Sequence, residues 1–210
     1  MKNEKLAIVY LKEVDSTQKY LIEKIKNNEI KPPVCVWTDL QTDGIGSRSN
    51  KWIGKKGNLF FSFTYEKDKF KEVPIQSLSI YFGWLFKKTL NELGSKVVMK
   101  WPNDIYLIEN KALKIGGVIT NITKDYVVCG IGLNTKFAPS DNFGSLDINV
   151  KNDKILERFF FNLQKNYKWD LVIKEFAEEF EKYKSVFPID GELQKDGSLK
   201  INEKRIYSRR

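Results

Sequence analysis

Histidine is absent from this chain of 210 residues. With it go the commonest general base, the commonest side-chain metal ligand and any Ser-His-Asp or Cys-His mechanism. Cysteine is scarce: Cys35 and Cys129 are the only two, each inside an apolar run ("PVCVW", "VVCGIG") where a thiol behaves as a small buried hydrophobe. That excludes a disulfide framework, argues against a structural zinc site, and fits a reduced, cytoplasmic protein. No window approaches the roughly 18 apolar residues that span a bilayer, and "MKNEKLAIVYLKEVDS" lacks the apolar stretch and cleavage site of a secretory signal. A cytoplasmic chain with no membrane partner is expected.

What is present suffices for one substantial domain with a small appendage. Hydrophobic residues make up 41% and aromatics 13%, enough to build a core. The formal charge of +9 suits a diphosphate, a nucleotide or an acidic protein partner. A basic nucleic-acid-binding module is the alternative from another class. It needs exposed cations interleaved with aromatics, whereas here the aromatics lie in apolar runs such as "NLFFSFTY".

The pattern predicts a strand over 6–11, a helix opening at Asp15 or Ser16, a strand over 33–41, and a loop over 41–52 without periodicity. A strand of bulky aromatics then covers 57–65 and a long apolar helix 74–94. Four short apolar runs follow at 96–100, 104–110, 114–122 and 125–134, reading as a meander. After a polar connector come amphipathic helices over 153–166 and 169–184, and past Pro188 a tail in which "SLKINEKRIY" closes as one hairpin. Strands before and among helices, without regular βαβ alternation, give an α+β fold: a mixed, mostly antiparallel central sheet flanked by helices.

Polar stations recur at the strand ends: "DSTQ" (15–18), "QTDGIGSRSNKW" (41–52), "KWPND" (100–104), "KIGG" (114–117) and "GIGLN" (130–134). Most have a plain reading. Ser16 and Thr17 suit a helix cap, Gly44 and Gly46 a turn, and Trp52 and Trp101 a core. "KWPND" is harder to dismiss, because Pro102 fixes the backbone between Trp101 and Asn103 and so the relative directions of Lys100, Asn103 and Asp104. A cation, an amide and a carboxylate so held can bind phosphate oxygens and a magnesium ion. In "KIGG", two glycines let a ligand approach the backbone beside Lys114.

The ordered set "DST", Q-x-x-G-x-G with a tryptophan six residues after its second glycine, "KWPND", "KIGGV" and "GIGLN" resembles the catalytic domain of biotin protein ligases, biotin-[acetyl-CoA-carboxylase] ligases, over residues 6–135. The resemblance implies a sheet related to class II aminoacyl-tRNA synthetases and lipoate ligases. It also implies two steps: biotin and ATP, with Mg2+, give biotinyl-5′-AMP, and a lysine of the biotin carboxyl carrier protein then takes the acyl group. It assigns Lys114 to the biotin carboxylate and the α-phosphate. Ser16, Thr17, Gln18, Gln41, Gly44, Gly46 and Gly117 fall to the biotin pocket, and Arg48, Trp52, Lys100, Asn103 and Asn134 to ATP, Asn103 also being the candidate for metal. Asp104 either orients the carrier lysine or pairs with a cation.

The sequence departs from the family in three places. Its arginine-rich loop here reads "GIGSRSNKW", with Ile45, Ser47 and Asn50 at arginine positions, leaving Arg48 to meet phosphate with help from Lys51, Lys55 or Lys56. A longer turn makes Lys111 a competitor for Lys114, and Gln18 stands where asparagine is usual. By the same resemblance residues 1–187 form the catalytic domain and 188–210 a remnant of a small C-terminal barrel. Operator DNA is not expected, since the catalytic strand begins almost at Met1; a homodimer through sheet edges is left open. A lipoate or octanoate ligase on the same scaffold is the nearest alternative, and it usually carries a histidine motif that this chain lacks.

Overall fold

The structure is a computed structural model that describes residues 6–47 and 50–208. A seven-stranded sheet forms its centre: β1 (Ala7–Tyr10), β2 (Val34–Thr38), β5 (Leu59–Glu66), β9 (Tyr126–Leu133), β8 (Ala112–Ile122), β7 (Asp104–Ile108) and β6 (Val98–Lys100), in that spatial order. The edge strand β1 runs parallel to β2, and every other pair is antiparallel. This is the mixed, mostly antiparallel α+β sheet that the pattern predicts.

The sheet's two faces differ. One carries α2 (Leu78–Glu92), which packs between the sheet and α3 (Asn152–Leu163) and α4 (Trp169–Lys182). Because α2 has neighbours on both sides, its buried positions run almost all the way round it, as a central helix requires. Phe61 and Phe63 of β5 meet Phe159 of α3 with ring centroids 5.4 Å apart in each case, and Phe82 of α2 closes on Phe63 edge-on at 5.2 Å. Cys35 and Cys129 belong to this core, and burial pushes both thiols well above their ordinary pKa, so they are unreactive.

The other face is covered at one end by α1 (Thr17–Lys26), whose Leu21 and Ile25 pack on Val34, Val36 and Val128. Ser16 is its N-cap, the side chain accepting from Lys19 N at 3.4 Å. The rest of this face stays open.

The structure differs from the pattern in three particulars. The aperiodic loop contains a hairpin of β3 (Gly44–Ile45) with β4 (Lys51–Trp52), strands of two residues being too short to leave a period. The long helix begins as a tight 3-10 turn, Ile75–Ser77, behind Pro74. In the tail the expected hairpin, β11 (Leu199–Ile201) with β12 (Lys204–Ile206), gains a third strand, β10 (Glu192–Leu193). Leu199 of this small sheet belongs to the main core, and one turn of it is hydrogen-bonded to the main body. Trp101 Nε1 donates to Gly197 O, Trp169 Nε1 to Lys195 O (both 2.9 Å) and Ser77 Oγ to Asp196 O (2.5 Å).

Candidate functional site

The open part of the α1 face forms a cavity of about 320 Å3, bounded by α1, the β3/β4 hairpin and the 139–143 loop. A volume near the lower end of ordinary ligand pockets suits one compact organic group. Register decides its floor. Asp104 pairs with Gly117, Gly117 with Gly132, Ile119 with Gly130, and Gly130 with Ser62, and directly opposed residues share a face. Glycines at three of these positions leave the floor flat.

A bulge brings Lys114 to the same floor. Between Asp104 and Tyr106 the strand β7 advances two residues, while β8 advances three, from Gly117 back to Lys114. Ile115 is the extra residue, fully buried in the opposite core, so Lys114 turns toward the side of Gly117 and Asp104. Its Nζ stands 2.7 Å from Asp104 Oδ1, both side chains about a quarter exposed. The bulge is braced from outside: Asn134 N donates to Ile115 O at 2.8 Å and Gly144 N to Lys114 O at 3.0 Å. Lys111, by contrast, lies in the turn and donates to Asp141 O.

The far end of the cavity is a polar clamp. Thr17 N donates to Gln41 Oε1 at 2.8 Å, Thr17 Oγ1 reaches the same oxygen at 3.1 Å, and Ser62 Oγ lies 2.9 Å from Thr17 Oγ1. Because a backbone N–H can only donate, Gln41 presents Oε1 to Thr17 and turns Nε2 the other way, toward Gly44, where a Cβ would stand 2.7 Å from it. Gln18 donates through Nε2 to Asn121 Oδ1 and Val128 O, with its Oε1 lying over Gly130.

Over the floor lies Trp52, so close that a Cβ on Gly132 would be 2.8 Å from Trp52 Cε2. Lys114 Nζ is 5.6 Å from the indole centroid. Trp52 Nε1 and Gln18 Oε1 are buried without a hydrogen-bond partner among the described residues. Such atoms are costly, about 1–3 kcal/mol each, and both line the cavity rather than the main core.

Ser16, Thr17, Gln18, Gln41, Gly46, Trp52, Asn103, Asp104, Lys114 and Gly117 are thus brought together around one cavity. Gly44 stands just behind it, giving room to Gln41. Lys100 is held between the rings of Tyr106 and Phe187, 5.5 and 5.6 Å from their centroids. Asn134 is fully buried, donating to Gly144 O and accepting from Asn58. Neither of these two lines the cavity. Arg48 lies outside the described residues. Gly130 and Gly132 lie within the "GIGLN" station but carry no role in the sequence reading, and Ser62 lies outside every station. Ser62 had a signal, as the one hydroxyl between phenylalanines in "LFFSFTY", the others in that run being Thr64 and Tyr65.

Three comparisons bear on this site. The model of the Biotin/lipoate A/B protein ligase family matches residues 10–134, more than half of the chain. The bifunctional ligase/repressor BirA of Escherichia coli is 33% identical over 132 residues, 61% of this chain and 40% of its own length. Biotin–protein ligase 2 of Arabidopsis thaliana is 37% identical over 110 residues, 48% of this chain and 32% of its own. The chain therefore spans well under half the length of these curated relatives. Among solved structures, biotin acetyl coenzyme A carboxylase synthetase from Helicobacter pylori, with bound biotinylated ATP, is 38% identical with a TM-score of 0.87, covering 97% of this chain and 100% of that one. Biotin protein ligase from Aquifex aeolicus, in complex with biotin and ATP, shares the fold at 24% identity and a TM-score of 0.69, over 96% of this chain and 94% of that one.

Proposed function

The chain belongs to the Biotin/lipoate A/B protein ligase family, and from that premise we propose that it is a biotin protein ligase, joining biotin to a lysine of a biotin carboxyl carrier protein at the expense of ATP. The observation that carries this reading is the pairing, on one glycine floor, of a cation at one end, Lys114 beside Asp104, with a fixed amide and hydroxyl clamp at the other, Thr17, Gln41 and Ser62. A substrate with a carboxylate at one end and a polar ring at the other fits that polarity.

In the first step a carboxylate oxygen of biotin bonds to the α-phosphorus of ATP while the bond to the bridging oxygen breaks and diphosphate leaves. Two anions must meet, so a cation at their junction is worth most as charge moves to the leaving group. Lys114 supplies it. In the second step the neutral amine of the carrier lysine bonds to the acyl carbon, AMP leaves, and the amine's proton is lost. Asp104 lines the cavity and is held within 2.7 Å of Lys114, where it can orient that amine or accept its proton.

Magnesium enters as part of the ATP substrate. Asp104 is the one carboxylate lining the cavity among the described residues, and these contain no cluster of three His, Cys, Asp or Glu groups able to cage a metal. Asn103 donates through Nδ2 to Val118 O, which leaves its Oδ1 for a phosphate-bound ion.

The test is biotin-dependent exchange of labelled diphosphate into ATP, by wild type and Lys114→Ala. Exchange that requires biotin and vanishes in the variant supports the reading. Exchange with lipoate or octanoate in place of biotin would overturn it in favour of the sister activity.

A further inference from the structure

Asn58 is fully buried immediately before β5, outside the cavity, and both ends of its amide are engaged. Its Oδ1 accepts from Lys136 N and Phe137 N, each at 3.0 Å, and its Nδ2 donates to Phe137 O at 2.8 Å and to Asn134 Oδ1 at 3.3 Å. Backbone N–H groups can only donate, so the Asn58 oxygen must face them and its nitrogen must face Asn134. That settles the second amide in turn. Asn134 shows Oδ1 to Asn58 and is left with Nδ2 for Gly144 O, 3.1 Å away. The orientation of one buried amide dictates that of the other, and the second grips the strap of residues 139–144.

This strap sits on the bulge of β8. Phe143 bridges to Lys114 in parallel register, and Gly144 lies so close that an added Cβ would stand 3.0 Å from Ile115 Cγ2 and 3.1 Å from Leu113 Cβ. Gly144 N meets Lys114 O at 3.0 Å, and Asn134 N meets Ile115 O at 2.8 Å. Both carbonyls of the bulge are therefore received by the two residues that Asn58 puts in order. A bulge disrupts the regular ladder, and a shift of one residue there would carry Lys114 to the opposite face.

Building on the ligase reading, we propose that Asn58 is a positioning residue for adenylate formation: through Asn134 and Gly144 it fixes the bulge that turns Lys114 into the cavity. Asn58 itself touches no substrate. Its influence passes through the Lys114 ammonium, and a buried polar network with its partners satisfied is the kind that holds a single arrangement.

The experiment is a double-mutant cycle, read as the single-turnover rate of biotinyl-5′-AMP formation from biotin and ATP with magnesium, in which slow variants stay measurable. Wild type, Asn58→Ala, Lys114→Ala and the double variant are compared, with melting temperatures alongside. Misplacing a reacting group predicts that Asn58→Ala slows the step by about 10-fold or more. In the Lys114→Ala background the same change should stay within about 2-fold, because the group it positions is already gone. Asn58→Asp keeps the oxygen that faces Lys136 and Phe137 and loses the donor that faces Asn134. It should show the same pattern, and it carries the comparison if Asn58→Ala does not fold. Equal slowing in both backgrounds, or none in either, overturns the positioning role, while biotinyl-5′-AMP formed by wild type leaves the ligase reading standing. A wild type that forms no biotinyl-5′-AMP overturns both.

Discussion

Lys114 and Gly117, an odd number of residues apart on β8, face the same side of the sheet because Ile115 bulges between them. In a regular strand they would point to opposite faces. The bulge therefore decides which lysine serves the cavity. Lys114→Ala is expected to lower diphosphate exchange by about 100-fold or more, the scale of losing a group that stabilises transition-state charge. Lys111→Ala, a change in the turn, should stay within about 2-fold. Equal losses in the two variants would mean that the bulge does not choose between them.

The glycine floor makes a second prediction. An added Cβ at Gly132 meets the Trp52 indole at 2.8 Å, with no flexible end to yield. Gly132→Ala should displace the ring, change tryptophan emission and weaken ligand binding by about 10-fold, since a well-packed pocket tolerates overpacking at about 1–3 kcal/mol. Gly94→Ala, at a position with nothing within 4 Å but a φ of +102°, should cost stability and leave binding alone. That contrast separates a site effect from a general one.

Thr17 joins the clamp through its N–H and its hydroxyl, so Thr17→Val keeps the shape and the N–H bond to Gln41 and removes the hydroxyl's contacts to Gln41 and Ser62. Biotin binding should weaken by about 10-fold, the worth of one buried hydrogen bond. The KM for ATP should change much less. A Thr17→Val protein with unaltered biotin affinity would remove the clamp from the argument.

Much of this was legible in the sequence, for reasons that particular residues show. The strand "DIYLI" declared itself by burying alternate side chains and "YVVCGIGL" by a continuous apolar run buried from Val127 to Ile131, and the polar runs at their ends mark the cavity rim. Lys114 and Lys111 could not be separated on spacing alone, since a bulge changes facing without changing hydrophobicity. Lys100 opposes Asp104 across β6 and β7, yet its ammonium lies between two rings, one of them Phe187 from beyond the second long helix. Nothing in "KWPND" announces a partner so distant. Asn134 reads as a ligand contact in "GIGLN" but spends its side chain on Gly144 and Asn58, a loop-bracing role that only the fold assigns.

Acid should loosen the tail. Burial pushes the Asp196 carboxyl up, but hydrogen bonds from the Ser198 side chain and backbone, and the charge of Arg205, outweigh it, so its pKa lies below the ordinary 3.8. A carboxyl lowered in the folded state contributes stability that is present above its unfolded pKa and lost as pH falls through the folded value. The contribution is therefore full at neutral pH and is lost progressively as pH falls below about 4 and through the folded value. Asp196→Asn should flatten the acid limb of the stability curve, read as the pH midpoint of unfolding. An unchanged midpoint would place the acid-sensitive group elsewhere.

The turn at 195–197 receives two indole N–H groups and a hydroxyl from the main body, and one of those indoles, Trp101, lies two residues before Asn103. Tail and cavity rim are therefore expected to open together. Amide exchange measured in the small terminal sheet and at Asn103 and Asp104 should report a common opening, and whatever loosens the last strands will be felt at the rim as a loss of alignment.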